Sequence, residues 1–189
     1  MEEQGRQKAT DTPWSQTGGK DLATQGVRFE MLRRRVLHQL LKAYAELKNF
    51  KVFLMDVGLL RALSGVAPKV ILEGSKIFEE FKGALTEQFV GQELQLFKRL
   101  QTHYYWTSTS KAEVDFLVSD GMEVYPLEAK AGFTMNAKSL KSYKKRYSST
   151  KWCLRTSLLP YERNEEAGII NIPLYMLFAL EEELRVEMK

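Results

Sequence analysis

The sequence contains very little cysteine, histidine or proline. Of 189 residues, one is cysteine, two are histidine and five are proline. The single thiol, Cys153, excludes an internal disulfide and a cysteine-rich zinc module, and it is typical of a reducing cytoplasm, where we expect the protein to reside. We expect Cys153 to be a buried, inert thiol, because Trp152 and Leu154 flank it in an apolar segment. His38 and His103 lack metal-ligand spacing.

Long hydrophobic runs are also missing. The longest apolar stretch, residues 169–180, is too short to span a bilayer and is typical of a protein core, so we expect no membrane partner. The polar N-terminus lacks the apolar segment of a secretory signal. The net charge of +4 mildly favours a polyanionic partner such as nucleic acid, but it proves none.

Composition divides the chain into three parts. Residues 1–27 show no period and are predicted to be a disordered lead-in, residues 28–70 a helical and strand extension, and residues 71–189 the main domain. The "GGKD" at residues 18–21 is not a phosphate-binding loop, because Trp14 stands where the first glycine belongs and no Ser or Thr follows Lys20. We therefore expect no ATPase activity in this chain.

Hydrophobic periodicity predicts a mixed α/β fold. From residue 75 the predicted order is α-β-β-β-α-β, followed by a further strand and helix. The predicted helices cover residues 29–47, 57–65, 75–100 with Ser75 as N-cap, 136–147 with Asn136 as cap, and 173–184 with Pro173 at its first position; the predicted strands cover residues 50–56, 103–108, 112–119, 122–130, 151–158 and 168–172.

The dipeptide Asp120-Gly121 predicts a hairpin between the strands at 112–119 and 122–130, because both positions tolerate a positive φ. A two-residue turn sorts the side chains into two faces. One face is apolar apart from Glu123. The predicted pairs on the other face are Ser119 with Met122, Leu117 with Val124, Asp115 with Pro126 and Glu113 with Glu128. Pro126 is unusual in a strand and could mark a bulge that would change this register.

The polar face therefore gathers carboxylates. Asp115 is diagonal to Glu128, and Glu113 faces Glu128 directly as a like-charge pair that a divalent cation would neutralise. We predict Asp115, Glu128 and Glu113 as ligands of Mg²⁺ or Mn²⁺, and Lys130 as the group that orients a water or stabilises a charged phosphoryl group. The alternative, which the sequence leaves open, is that this face is simply exposed to solvent.

A fifth residue, Glu87, lies on the preceding predicted helix. Gly83 and Gly91 stand four residues to either side of it. We expect these small residues to let the helix approach the sheet closely and to bring Glu87 to the acids.

Glu87, Asp115 and the Glu128-Ala129-Lys130 run resemble the PD-(D/E)xK phosphodiesterase superfamily. This resemblance implies a restriction-endonuclease-like core, places it in residues 71–189, and gives Glu87, Asp115, Glu128 and Lys130 catalytic roles. Val114 stands where the name-giving proline of the motif is found.

A second resemblance covers residues 40–185. Blocks such as "FKGALTEQFVGQEL", "YYWTSTSKAEVDFLV" and "PLEAKAG" are similar to the C-terminal domain of unknown function of predicted prokaryotic AAA-type ATPases. This second resemblance implies an isolated or truncated C-terminal domain without the ATPase module. It leaves open whether the partner is a separate ATPase or a second copy of the chain.

Two functions follow as hypotheses. The first is a Mg²⁺-dependent phosphodiesterase, nuclease-like, that acts on nucleic acid. The second is a catalytically silent module that binds nucleic acid or protein. In the first case the predicted basic helix would contact the phosphate backbone through Lys138, Lys141, Lys144, Lys145 and Arg146, unless it is only a solvated surface.

Overall fold

A computed structural model describes residues 51–67, 69, 76–108 and 112–187. The predicted lead-in at 1–27, the helix at 29–47 and Ser75 lie outside the described residues. The helices are α1 (Val57–Leu63), α2 (Lys76–Leu94), α3 (Lys138–Arg146) and α4 (Leu180–Glu187), with a 3-10 helix at Leu174–Ala179; the strands are β1 (Gln101–Thr107), β2 (Glu113–Ser119), β3 (Val124–Ala129), β4 (Cys153–Ser157), β5 (Glu162–Asn164) and β6 (Ile169–Pro173).

The strands form one mixed sheet in the order β1-β2-β3-β4-β6-β5. Strands β1, β2 and β3 are antiparallel, β3 runs parallel to β4 and β4 parallel to β6, and β5 closes the edge antiparallel to β6. The predicted mixed α/β class is confirmed. Strand β5 was not predicted, because its three residues are polar and carry no hydrophobic pattern.

Helices cover both faces of the sheet. On one face, Val90 and Leu94 of α2 and Leu180 of α4 share a core with Phe116 and Leu127. On the other face, α3 turns two buried side chains towards the sheet, and together they form a second core that contains Trp106, Leu117, Val124, Leu140, Tyr143 and Cys153. The predicted burial of Cys153 is confirmed.

The hairpin between β2 and β3 differs from the predicted two-residue turn. Asp120 Oδ1 accepts hydrogen bonds from the backbone N–H groups of Met122 and Glu123, so residues 120–123 form the connection, with Gly121 at φ 89°. Ser119 consequently pairs with Val124. The pairing has moved by two residues, and two is the side-chain period of a strand, so the paired residues 116–119 and 124–127 keep their predicted faces. Val114, which alternation predicts on the face of Phe116, packs instead in the second core with Leu117, beyond a register shift between β1 and β2.

Pro126 causes no bulge in this hairpin. It pairs with Leu117, and the register between β2 and β3 runs evenly from Ser119 to Phe116. The register shifts occur instead between β1 and β2. Leu127, one residue after Pro126, is the first residue of β3 that pairs with β4, so the missing N–H of Pro126 precedes the parallel ladder.

The segment 51–56, predicted within a strand, belongs to no strand of the described sheet. It lies along α2, where the side-chain amide of Gln88 accepts from Leu54 N at 2.9 Å and donates to Leu54 O at 2.7 Å. Gln92 likewise accepts from Val57 N at 2.9 Å. Two helix side chains thus supply the hydrogen bonds that a neighbouring strand would otherwise provide.

Helix boundaries differ from prediction where side chains bind backbone groups. Helix α2 ends at Leu94 rather than at residue 100, and Glu181 accepts hydrogen bonds from Arg99 N and Leu100 N beyond it. Helix α3 begins at Lys138, with Ala137 at the cap position in place of Asn136. No helix among the described residues is both long and apolar enough to cross a membrane.

We expect Leu154→Ala to lower the free energy of unfolding by about 2–5 kcal/mol, because Leu154 is fully buried in the core that faces α2 and truncation leaves a cavity. Urea unfolding followed by circular dichroism measures the change. The matched control is Leu158→Ala, at a position 40% exposed, with an expected decrease below about 1 kcal/mol. Equal decreases in the two variants would contradict the described core.

Candidate carboxylate site

The candidate site lies where the regular pairing of β2 with β3 stops. The last regular pair is Phe116 with Leu127. Beyond that pair, the Asp115 carboxylate accepts the Ala129 N–H through Oδ2 at 2.7 Å. A side chain therefore replaces a backbone carbonyl at this point of the ladder, which fixes the orientation of the carboxylate.

Asp115 lies in a costly electrostatic environment. Its side chain is 19% exposed, and burial raises its pKa to about 6. The hydrogen bond from Ala129 and the charge of Lys51 lower the pKa, whereas the negative charges of Glu87 and Glu128 raise it further. The fold thus holds a carboxylate close to other carboxylates without fully compensating it.

Glu128 is the most buried acid of the site. It is 4% exposed, and its Oε1 forms an ion pair with Lys130 Nζ at 2.6 Å. Its Oε2 is buried and accepts no hydrogen bond from any residue that the structure describes. A buried carboxylate oxygen without a donor is costly in a folded protein, and it is the kind of atom that binds a cation or an ordered water.

The Lys51 ammonium joins the remaining acids, an interaction that the sequence pattern did not indicate. Its Nζ lies 2.7 Å from Glu87 Oε1, 2.5 Å from Glu113 Oε1 and 3.8 Å from Asp115 Oδ1. The same ammonium lies 5.0 Å from the centre of the Tyr105 ring. Burial opposes its charged form, but the hydrogen bonds and charges of Glu113 and Glu87 outweigh burial, so the pKa of Lys51 is raised.

Glu87 is linked to the acids in a different way from the one predicted. A side chain at Gly91 would meet the Phe53 ring at 2.9 Å, and a side chain at Gly83 would meet nothing within 4 Å. Neither glycine is needed for close approach to the sheet. Glu87 is connected to Glu113 and Asp115 through Lys51 instead.

A row of polar side chains continues from the acids across the sheet. Glu128 pairs with Arg155 of β4, and Arg155 pairs with Asn171 of β6. Arg155 is 4% exposed; its Nε donates to Asn171 Oδ1 at 2.9 Å and its Nη1 to Met135 O at 2.9 Å. Arg155 thus ties the row to the loop between β3 and α3. Arg155 is not among the predicted site residues, although a charged residue inside the apolar strand 151–158 was the available signal.

The predicted nucleic-acid-binding residues lie on α3, and most of them are exposed. Lys138, Lys141 and Lys145 are exposed, and so is Arg146. Lys144 differs, because its Nζ donates to the backbone oxygen of Ala167 at 2.9 Å and thereby stabilises the turn between β5 and β6. Lys144 therefore has a structural role that accounts for its charge.

Carboxylate oxygens are the donors that a hard divalent cation such as Mg²⁺ prefers. Within the described residues, no three or more His, Cys, Asp or Glu side chains form a group that could hold a metal ion. Mg²⁺, however, is commonly held by only one or two carboxylates together with waters and substrate phosphates. Asp115 and Glu128 would be the two carboxylates of such a site, and Glu128 Oε2 has no described donor. Glu113, already bound to Lys51, stays a prediction as a third ligand.

Comparison with known proteins finds a family but no individual relative. A family model described as Domain of unknown function (DUF4143) matches residues 82–176. That range includes α3 and all of the candidate site residues except Lys51. The searches of curated proteins and of solved structures returned no match.

We expect Asp115→Asn to stabilise the fold at neutral pH in the presence of a chelator. The pKa of Asp115 is about 6 in the folded chain and 3.8 in the unfolded chain. Between pH 3.8 and about pH 6 the folded carboxyl group therefore binds more protons than the unfolded one. The free energy of unfolding consequently falls as the pH rises through this window. Asparagine removes this cost, which amounts to up to about 3 kcal/mol.

Urea unfolding at several pH values from about 4 to about 8 measures this difference. The gain of the Asp115→Asn variant should be small at the acidic end and reach its full size above about pH 7. Glu123→Gln, at an exposed position in the hairpin connection, is the control and should show no such growth. A gain that shrinks as the pH rises would contradict the raised pKa of Asp115.

Proposed function

This chain belongs to the DUF4143 family, and because the description of that family names no activity, we propose from the site itself that the domain is a metal-dependent phosphodiesterase acting on nucleic acid. The observation that carries the proposal is the Glu128 carboxylate. It is almost fully buried, one oxygen is held by Lys130, and the other has no described donor while the Asp115 charge lies nearby.

The division of roles follows from these interactions. Asp115 and Glu128 would hold Mg²⁺ or Mn²⁺, and Glu87 and Glu113 would act at the edge of the site. The metal, when bound, would supply Lewis-acid polarisation of a phosphate ester. Ala129 N–H keeps the Asp115 carboxylate oriented, and the Lys130 ammonium is placed to neutralise charge that develops on phosphate oxygens or to position a water.

The resemblance to the PD-(D/E)xK superfamily supports the same assignment. The described elements α2, β1, β2, β3, α3 and β4 follow the order that this resemblance implies. Asp115 belongs to β2, Glu128 to β3, and Lys130 follows the last residue of β3. We also propose, on the resemblance alone, that the domain works with a separate AAA-type ATPase as partner.

A second candidate is a silent binding module that retains the acids without turnover. The observation that favours it is the pairing of the site with lysine. Lys51 binds Glu87 and Glu113, and Lys130 binds Glu128. Such ion pairs neutralise much of the negative charge that a metal would need, and they leave α3 as the surface that contacts nucleic acid.

We expect the chain to cleave DNA or RNA only with Mg²⁺ or Mn²⁺, and Asp115→Asn, Glu128→Gln and Lys130→Met each to reduce the rate by about 100-fold or more, because each variant removes a charge used at the reacting phosphate. Cleavage of end-labelled single- and double-stranded substrates, with and without chelator, measures this.

Glu123→Gln, purified in the same way, is the matched control and should cleave like the unmodified chain, because its exposed side chain lies in the hairpin connection. Cleavage that persists in all three site variants would refute the assignment of the active site. An unmodified chain that binds nucleic acid but never cleaves it would support the silent module instead.

We expect replacement of both Lys138 and Lys141 by Gln to weaken binding to duplex DNA. The slope of the logarithm of the binding constant against the logarithm of the salt concentration should become shallower by about 0.9 for each phosphate that is no longer neutralised. Fluorescence anisotropy with a labelled duplex, between about 50 and about 200 mM salt, measures the slope. Replacement of both Lys98 and Arg99 by Gln, two exposed cations between α2 and β1, is the charge-matched control. Equal effects of the two changes would show that α3 is not a specific binding surface.

A further inference from the structure

The carboxylate site already contains two positive groups of the chain itself. Lys130 binds Glu128, and Lys51 lies among the other three acids. Four carboxylates and two ammonium groups carry a formal charge of −2, and the buried Arg155, which pairs with Glu128 across β3 and β4, reduces it to −1. The site therefore retains attraction for a further cation, but oxygen atoms that a cation would approach are in contact with Lys51.

Lys51 is not part of the sheet that carries the acids. It belongs to the segment 51–56, which is held against α2 through Gln88 and Leu54, with two hydrogen bonds between the Gln88 amide and the Leu54 backbone. Phe53 adds an apolar contact, with its ring centre 5.5 Å from that of Phe116. The position of the ammonium thus depends on hydrogen bonds and packing that lie outside the carboxylate cluster.

We propose that the Lys51 ammonium is a built-in competitor of the divalent cation, so that metal binding at Asp115 and Glu128 and docking of the segment 51–56 oppose each other. Both cations are attracted by the same acids, and Lys51 Nζ already lies 3.8 Å from Asp115 Oδ1. A divalent ion brought beside that ammonium is repelled by it, and the repulsion is strong because the site is partly buried. Lys51 is then a regulatory residue, distinct from Lys130, which contacts Glu128.

This inference rests on the proposed use of the carboxylates as metal ligands and not on cleavage. It requires that two ligands of the same site be thermodynamically linked, so each must weaken the other by the same factor. Linkage of this kind can be measured on a chain that never cleaves nucleic acid. Failure of the proposed nuclease activity and failure of the competition are therefore separate results.

Calorimetry with Mn²⁺ tests the competition directly. Lys51→Met keeps the length and apolar stem of the side chain and removes the charge, and we expect it to bind Mn²⁺ at least about tenfold more tightly. Lys98→Met removes one exposed positive charge elsewhere and should change the affinity by less than about twofold. Unchanged or weaker Mn²⁺ binding by the Lys51→Met variant, relative to the Lys98→Met variant, would overturn the proposal.

Two further measurements separate competition from a general change in the fold. Gln88→Ala loosens the segment 51–56 without removing a charge, and we expect it to tighten Mn²⁺ binding by about fivefold or more. In the unmodified chain, Mn²⁺ should accelerate hydrogen exchange of the Leu54 amide, which donates to Gln88. Saturating Mn²⁺ that leaves this exchange unchanged or slows it would contradict the linkage, whatever the behaviour of the variants.

Discussion

The charge balance of four carboxylates and two ammonium groups at the end of β2 and β3 is the constraint on which the site depends. Glu128 is almost fully buried, and burial raises the pKa of Asp115 to about 6. Such groups fold together only when each charge is paired or each acid can take up a proton. Lys51 and Lys130 supply part of the compensation. The compensation by these two lysines is partial, because the four carboxylates outnumber them.

In the row that continues from Glu128 across the sheet, the polar side chains of Arg155 and Asn171 are hydrogen-bonded. Asn171 accepts from Arg155 Nε and from the Ser157 hydroxyl, and its amide donates to the backbone oxygens of Leu159 and Pro160. Polar networks that are fully satisfied rigidify a core. Glu128, by contrast, keeps one buried oxygen without a described donor. Within this row, the side chains of Arg155 and Asn171 are therefore hydrogen-bonded and one oxygen of Glu128 is not, whereas elsewhere in the sheet Trp106 Nε1 and Thr156 Oγ1 are also buried without a described partner.

Much of the architecture and the key acids could be predicted from sequence, for a physical reason. Alternation along β2 and β3 has a period of two, so the wrong turn length at Asp120 and Gly121 moved the register by two residues and left the paired residues 116–119 and 124–127 on their predicted faces. Lys51 could not be found in this way. Its position beside the acids depends on hydrogen bonds between Leu54 and Gln88, which are distant from each other in sequence. In addition, the hydrophobic pattern of residues 50–56 is the same whether the segment joins a sheet or lies along a helix.

The tethering of Lys51 decides how such a site would respond to its surroundings. A group attached to the same chain competes as though it were present at about millimolar concentration or above, so its strength depends on how firmly its segment is held. The hydrogen bonds described for Leu54 all join its backbone to the Gln88 side chain. An interaction that pulls on the segment 51–56 would therefore weaken the competition by Lys51 without contacting a carboxylate. The metal affinity of the site would thus be set from outside, and the same carboxylates could be held closed by lysine in one context and opened to a divalent cation in another.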